Sequence, residues 1–219
     1  MRNVIYRTEF CAVIFIIKKG VPMRSKRIHT LTECAVMLAL SVALSFVKLF
    51  EMPMGGSVTL ASMLPVMVVA IRHGWRWGLP TAFLYAGFQL LQAYLTGNVF
   101  VYCETPATMM ICILFDYVLP FTLIGFAGIF RRLSLGKIQN FGIYLGIFAV
   151  TAVRFVCHFI SGVAIWGQWA EGMSPTLYSF LYNGSFLLPE LLITLFVAVL
   201  LFEQKAIDIR GDAQYNKNK

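Results

Sequence analysis

The sequence predicts an all-α polytopic membrane protein: six transmembrane helices in one bundle, with both termini cytoplasmic. Three observations lead there. Of 219 residues, 59% are hydrophobic and only 13% are charged, against roughly 25% charged in an ordinary soluble domain, and mean hydropathy is +0.76. The apolar residues come in long runs separated by short polar connectors, as membrane-spanning helices require. Lys and Arg occupy every second connector, the pattern that orients spans with their basic ends inside. That distribution also accounts for the net charge of +8 without a nucleic-acid partner.

Residues 1–27 form a leader or cytoplasmic segment. Its apolar run, Cys11 to Ile17, is shorter than the ~20 residues a span needs, and no small-residue cleavage site follows it. Met23 stands directly before Arg24-Ser-Lys-Arg27, so the leader reads as an extension ahead of a start at Met23 or as a loosely attached segment. The transmembrane domain covers 28–202, and 203–219 is a polar cytoplasmic tail.

The first span is expected over 31–50. Ala35, Ala39 and Ala43 repeat every four residues along it and make a flat ridge, to which another helix can pack closely. From the pattern alone, packing inside the bundle is the first reading of that ridge. Glu51-Met-Pro-Met-Gly-Gly-Ser57 is a turn rich in backbone breakers. The second span covers 58–71, with Pro65 expected to kink its middle. Arg72, His73 and Arg76 make a basic connector before the third span, 77–95. Residues 96–106 carry no Lys or Arg, and the fourth span, 107–130, contains Asp116, Tyr117 and Pro120. Arg131, Arg132 and Lys137 precede the fifth span, 141–166. A turn over 167–176 leads into the sixth, 177–202. The turns at 51–57, 96–106 and 167–176 are accordingly external.

Polar residues inside these spans nominate a site. Arg154, His158, Gly162 and Trp166 recur every four residues and share one helical face, with Tyr178 and Asn183 in the first turns of the next helix. Lipid does not tolerate such a stripe, so it should face protein or a cavity. At ~1.5 Å per residue, His158 lies about 12 Å and Asp116 about 15 Å below the outer ends of their helices. Arg154 and Glu190 come at matching depths, roughly 18–20 Å, on consecutive antiparallel spans, and are read as a structural ion pair. Asp116 has no equally obvious partner, and Arg154, a proton or a cationic ligand would each satisfy it. His158 reads equally as a core histidine or a ligand contact, Trp166 and Tyr178 as interface anchors or ligand contacts, and Asn183 first as a helix–helix hydrogen-bond donor. Taken together, a carboxylate, an indole, tyrosines and an amide suit a small cationic aromatic molecule. Gly162 would leave room for a flat ring between His158 and Trp166.

Other chemistries find no foothold. No phosphate-binding loop is present: Gly136-Lys137 lacks the upstream glycine and the following Ser or Thr. Three histidines, at 29, 73 and 158, are too scattered for a metal centre. Five cysteines include no C-x-x-C pair, which fits small packing residues. An enzyme is not expected, nor a cofactor.

Several stretches carry a family resemblance: Leu31-Thr-Glu-Cys-Ala35, Pro53-Met-Gly-Gly-Ser-Val-Thr-Leu-Ala-Ser-Met-Leu-Pro65, Phe115-Asp-Tyr117, Gly125-Phe-Ala-Gly128, His158-Phe-Ile-Ser-Gly162, Trp166 and Tyr178-Ser-Phe-Leu-Tyr-Asn183. Over residues 28–202 the chain resembles the thiamine-specific S-components of energy-coupling factor (ECF) transporters. The resemblance implies a six-helix subunit of the cell membrane that binds thiamine from outside. A transmembrane T-component and two ATPases would drive its release inward. It makes Asp116, Tyr117, His158, Gly162, Trp166, Tyr178 and Asn183 thiamine contacts, and it turns Ala35, Ala39 and Ala43 into the T-component surface. Some members add a tryptophan from the loop between the first two helices and a carboxylate at the start of the second. Here that region, Met52-Pro-Met-Gly-Gly-Ser-Val-Thr-Leu-Ala-Ser62, has neither, although Glu51 is close by in sequence, and Tyr102 or Glu104 of the next external loop would compensate. Two other classes stay open: a stand-alone proton-coupled secondary transporter using Asp116, His158 or Glu190, and a structural subunit with these residues as interhelical glue.

Overall fold

The computed structural model describes residues 26–53, 55–96, 100–136 and 140–204. The leader up to residue 25 and the tail from residue 205 lie outside the described residues. Cys34–Lys219 forms one compact unit and Met1–Glu33 another. Helix α1 runs over Lys26–Ser45, followed by an antiparallel pair of short strands, β1 (Lys48–Glu51) and β2 (Ser57–Thr59). Then come α2 (Leu64–His73), α3 (Trp75–Thr96), α4 (Pro106–Phe126), α5 (Phe141–Ala164) and α6 (Pro175–Glu203). Four of these, α1, α4, α5 and α6, are long and apolar enough to cross a membrane. The molecule is a multi-pass helical membrane protein.

Its outer surface follows from lipid as solvent. On α5, Val153, Val156, Ile160 and Val163 are exposed, whereas Arg154, Cys157, His158 and Ser161 are buried. Helical backbone satisfies its own polar groups, so only the side chains decide which face meets hydrocarbon. Helix α2 is the exception, buried along its whole apolar length from Leu64 to Ile71. A helix that is apolar all round belongs in the centre, and α2 supplies much of the core together with Tyr85, Ile124, Ile143 and Ile147. Gly78 of α3 and Gly125 of α4 face each other backbone to backbone, so that a Cβ on either would collide with the other. Cys103, Cys112 and Cys157 are free thiols.

The structure departs from the sequence reading at the first two spans. The first span stops at Ser45, and 48–59 is a β-hairpin instead of helix, turn and the start of a second span. Gly55 and Gly56 sit at φ 91° and 86°, a region that only glycine enters without strain. Pro65 does not kink a helix; it lies in the first turn of α2, where its missing N–H is not needed. Residues 58–63 therefore precede a helix of only 10 residues. Arg131 holds the far end of that helix, its Nη1 donating to the carbonyls of Ile71 at 2.7 Å and Arg72 at 3.0 Å.

Candidate functional site

Helix α4 is not regular. Between Pro106–Cys112 and Leu119–Thr122 it opens into a π-helical segment, Ile113–Val118. Pro120 explains its position: proline has no N–H for the carbonyl of residue 116 and its ring crowds that carbonyl. The Leu119 N–H reaches back to the Leu114 carbonyl instead. Neighbouring residues on an α-helix point to different faces, yet here Asp116 and Tyr117 both line one cavity of about 500 Å³. Such bulges are frequent at functional sites. The Asp-Tyr-x-x-Pro spacing was the available sequence signal.

Around Asp116 the cavity wall is polar and closely tied. His158 Nδ1 lies 3.0 Å from Oδ1, Ser161 donates to Oδ2 at 2.5 Å, and the Trp166 indole N–H points to Oδ2 at 3.5 Å. A carboxylate only accepts, so Nδ1 carries the proton in this contact. Among the described residues no group hydrogen-bonds His158 Nε2. The sequence reading left Asp116 without an evident partner; His158, one of its own candidates and at nearly the same depth, is that partner. Ser161, one turn from His158 on the same face, was missed.

Trp166 is buried but is not the last turn of α5 as expected. The helix ends at Ala164, and the indole sits in a tight 3-10 turn, Trp166–Trp169. Tyr102 packs edge-on against Trp166 at 5.5 Å and against Trp169 at 5.7 Å. It stands behind the indole and is not part of the cavity lining, so its place is to hold Trp166. Phe100 does the same for Tyr117, with ring centroids 6.1 Å apart. Tyr178 lines the cavity and stacks on Tyr182 at 5.5 Å.

Gly162 serves a different purpose from the slot expected of it, whereas Asn183, which also lines the cavity, takes the helix–helix role first read for it. Gly162 borders the cavity, but the space a Cβ would take is filled by the Ser179 hydroxyl and the Asn183 amide. The glycine lets α6 approach α5 and does not make a slot for a ring. Asn183 Nδ2 donates to the His158 carbonyl at 3.1 Å and the Ser179 carbonyl at 2.9 Å, stitching the two helices together. Replacing Gly162 by Val is expected to force them apart at a cost of about 1–3 kcal/mol. A thermal-shift measurement in detergent checks this, and an unchanged melting temperature contradicts it.

The expected Arg154–Glu190 ion pair is not formed. Both are buried and both line the same cavity, but neither reaches the other directly. Glu190 Oε1 accepts from Thr59 at 2.7 Å. Arg154 lies over the Phe121 ring at 4.7 Å, with Nη1 3.1 Å from Met63 Sδ. Matching depth was legible in the sequence; the contacts of Glu190 with Thr59 and of Arg154 with Met63 and Phe121 were not. The β-hairpin completes the wall with Lys48 and Glu51, which pair at 2.6 Å. Glu51, close by in sequence, thus does reach the site, whereas Glu104 does not line it.

Ala35, Ala39 and Ala43 are all exposed. With Leu38, Val42 and Phe88 they line a shallow apolar groove. The ridge is thus open and not packed inside the bundle, which overturns the reading from the pattern alone.

Comparison with known proteins agrees with this architecture. Residues 31–209 match the family described as Thiamine transporter protein (Thia_YuaJ). The curated thiamine transporter ThiT of Bacillus subtilis (strain 168) is 31% identical over 189 residues, covering 82% of this chain and 93% of the relative. ThiT of Lacticaseibacillus paracasei is 28% identical over 192 residues, covering 80% and 88%. A solved structure of ThiT from Listeria monocytogenes superposes with a TM-score of 0.64 at 27% identity, over 82% of this chain and 96% of that one. The resemblance drawn from the sequence motifs is borne out at the level of the family: this chain belongs to the thiamine transporter protein family.

Proposed function

We propose that the chain is the thiamine-binding S-component of an ATP-driven ECF importer. It would capture thiamine from outside the cell through six spans with both termini cytoplasmic, and do no chemistry on it. The observation that carries this reading is the cavity wall that unites Asp116, Tyr117, His158, Trp166 and Tyr178 in a member of a thiamine transporter family. Thiamine joins an aminopyrimidine to a cationic thiazolium. Asp116 offers the carboxylate for the amino group or the cation, and Trp166 and Tyr178 offer π faces. His158 Nε2 presents a lone pair.

The exposed Ala35–Ala39–Ala43 groove is the surface for the T-component, because small residues allow close helix approach in a membrane. Ala39→Trp is expected to leave thiamine affinity within about twofold while reducing uptake by the assembled transporter at least tenfold. Parallel binding and uptake assays check it, and normal uptake removes the groove from the partner interface.

Reconstitution in liposomes tests the reading as a whole. The chain alone should not accumulate thiamine, with or without a proton gradient, whereas the chain with T-component and ATPases should do so only with ATP. Accumulation by the chain alone under a proton gradient would favour the secondary transporter.

A further inference from the structure

Two thiols meet behind the cavity wall, where the chain enters α4. Cys103 follows a 3-10 turn, Phe100–Tyr102, and its own N–H donates to the Phe100 carbonyl at 3.1 Å. Two residues later Thr105 caps α4. Its hydroxyl accepts from the Thr108 N–H at 3.2 Å, while Thr108 Oγ1 accepts from the Thr105 N–H at 3.1 Å. Held at both ends, the segment packs Cys103 against an apolar cluster centred on Cys112, Ile165 and Trp166. There the two thiols are hydrogen-bond partners. Cys103 is half-buried and Cys112 is 0% exposed, so within the pair Cys103 is the one that solvent reaches.

The pair stands at a joint. Cys112 is the last residue of α4 before the π-helical segment, and its thiol also contacts Asp116, one turn on. On the other side of Cys103, Phe100 backs Tyr117 and Tyr102 backs Trp166. A bond between the two sulfurs would tie both supporting rings to the helix that carries Asp116.

We infer that Cys103 and Cys112 form a reversible disulfide, whose closure slows the exit of a ligand bound in the cavity. The orientation proposed above puts this segment outside the cell, where disulfides persist. The thiamine reading enters only through the ligand used to follow exit. The oxidant is a small disulfide, RSSR. The Cys103 thiolate attacks it and releases RS⁻, and the Cys112 thiolate then attacks the Cys103 sulfur and expels a second RS⁻. The two thiols lose two electrons and two protons, and RSSR becomes two RSH. Burial pushes the Cys103 thiol above its ordinary value, so the attack is slow at neutral pH.

The test incubates the purified full chain with oxidised glutathione and maps its peptides by mass spectrometry. Peptides joined through Cys103 and Cys112 are expected, and dithiothreitol should separate them. Cys112→Ala should stop at a glutathione adduct on Cys103, and Cys103→Ser should leave Cys112 unmodified. An unmodified Cys103, or an adduct that stays on Cys103 in the wild-type chain, overturns the pair. Thiamine dissociation is then timed in the linked and the reduced protein, and it should be at least about threefold slower in the linked one. The oxidant should not change that rate in Cys103→Ser. An unchanged rate in fully linked protein overturns the control of exit. Reduced protein that binds no thiamine would instead sink the ligand assignment, and the peptide map decides the pair by itself.

Discussion

Asp116→Asn should weaken thiamine binding by at least about 100-fold, equivalent to roughly 2.8 kcal/mol, while the protein remains folded. The substitution is isosteric, so cavity shape is kept. What changes is charge and hydrogen-bond direction. The carboxylate now accepts from His158, Ser161 and the Trp166 indole; an amide offers one oxygen and turns the other position into a donor. A cationic ligand also loses its nearest counter-charge in a site sheltered from water, where that attraction is poorly screened. Binding measured alongside a melting curve checks the prediction. Near-native affinity in a well-folded variant would remove Asp116 from the recognition of thiamine.

Trp166→Ala should cost between about tenfold and 100-fold in affinity, since stacking and cation–π contact with an indole in a desolvated site contribute roughly 2 kcal/mol or more. Trp166→Phe should fall between, keeping a ring face but losing the N–H that points to Asp116. Tyr102 gives a further gradation. It touches the indole edge-on from behind, so Tyr102→Ala should weaken binding less than Trp166→Ala, by loosening the indole. A variant at Tyr102 more damaging than one at Trp166 would reverse the assignment of contact and support.

The reasons for what could and could not be read ahead of the structure are physical. Arg154, His158 and Gly162 were placed on one face because helical periodicity is local and α5 is regular there. Asp116 and His158 are 42 residues apart, and their contact depends on a π-helical segment that no hydropathy pattern encodes. Pro120 was visible, but its effect on the carbonyl four residues back is a matter of backbone geometry. Gly162 was correctly seen as a gap and wrongly filled: which neighbour occupies the space above a glycine is decided by the opposite helix, here through Ser179 and Asn183. The 48–59 hairpin was hidden because Leu49 and Phe50 follow the apolar first span and only two residues separate Lys48 from Glu51, while Gly55 and Gly56 commit the backbone to a turn. The open alanine ridge looks the same in sequence whether it meets another helix of the same chain or of a partner.

The central claim is that this cavity binds thiamine, and titration of the detergent-purified chain tests it most directly. Trp166 lines the cavity beside Asp116, so intrinsic tryptophan fluorescence should be quenched saturably at submicromolar thiamine. Riboflavin and biotin should leave it unchanged, and the signal should shrink in Trp166→Phe. A flat titration of folded protein, or equal quenching by riboflavin or biotin, would contradict the account.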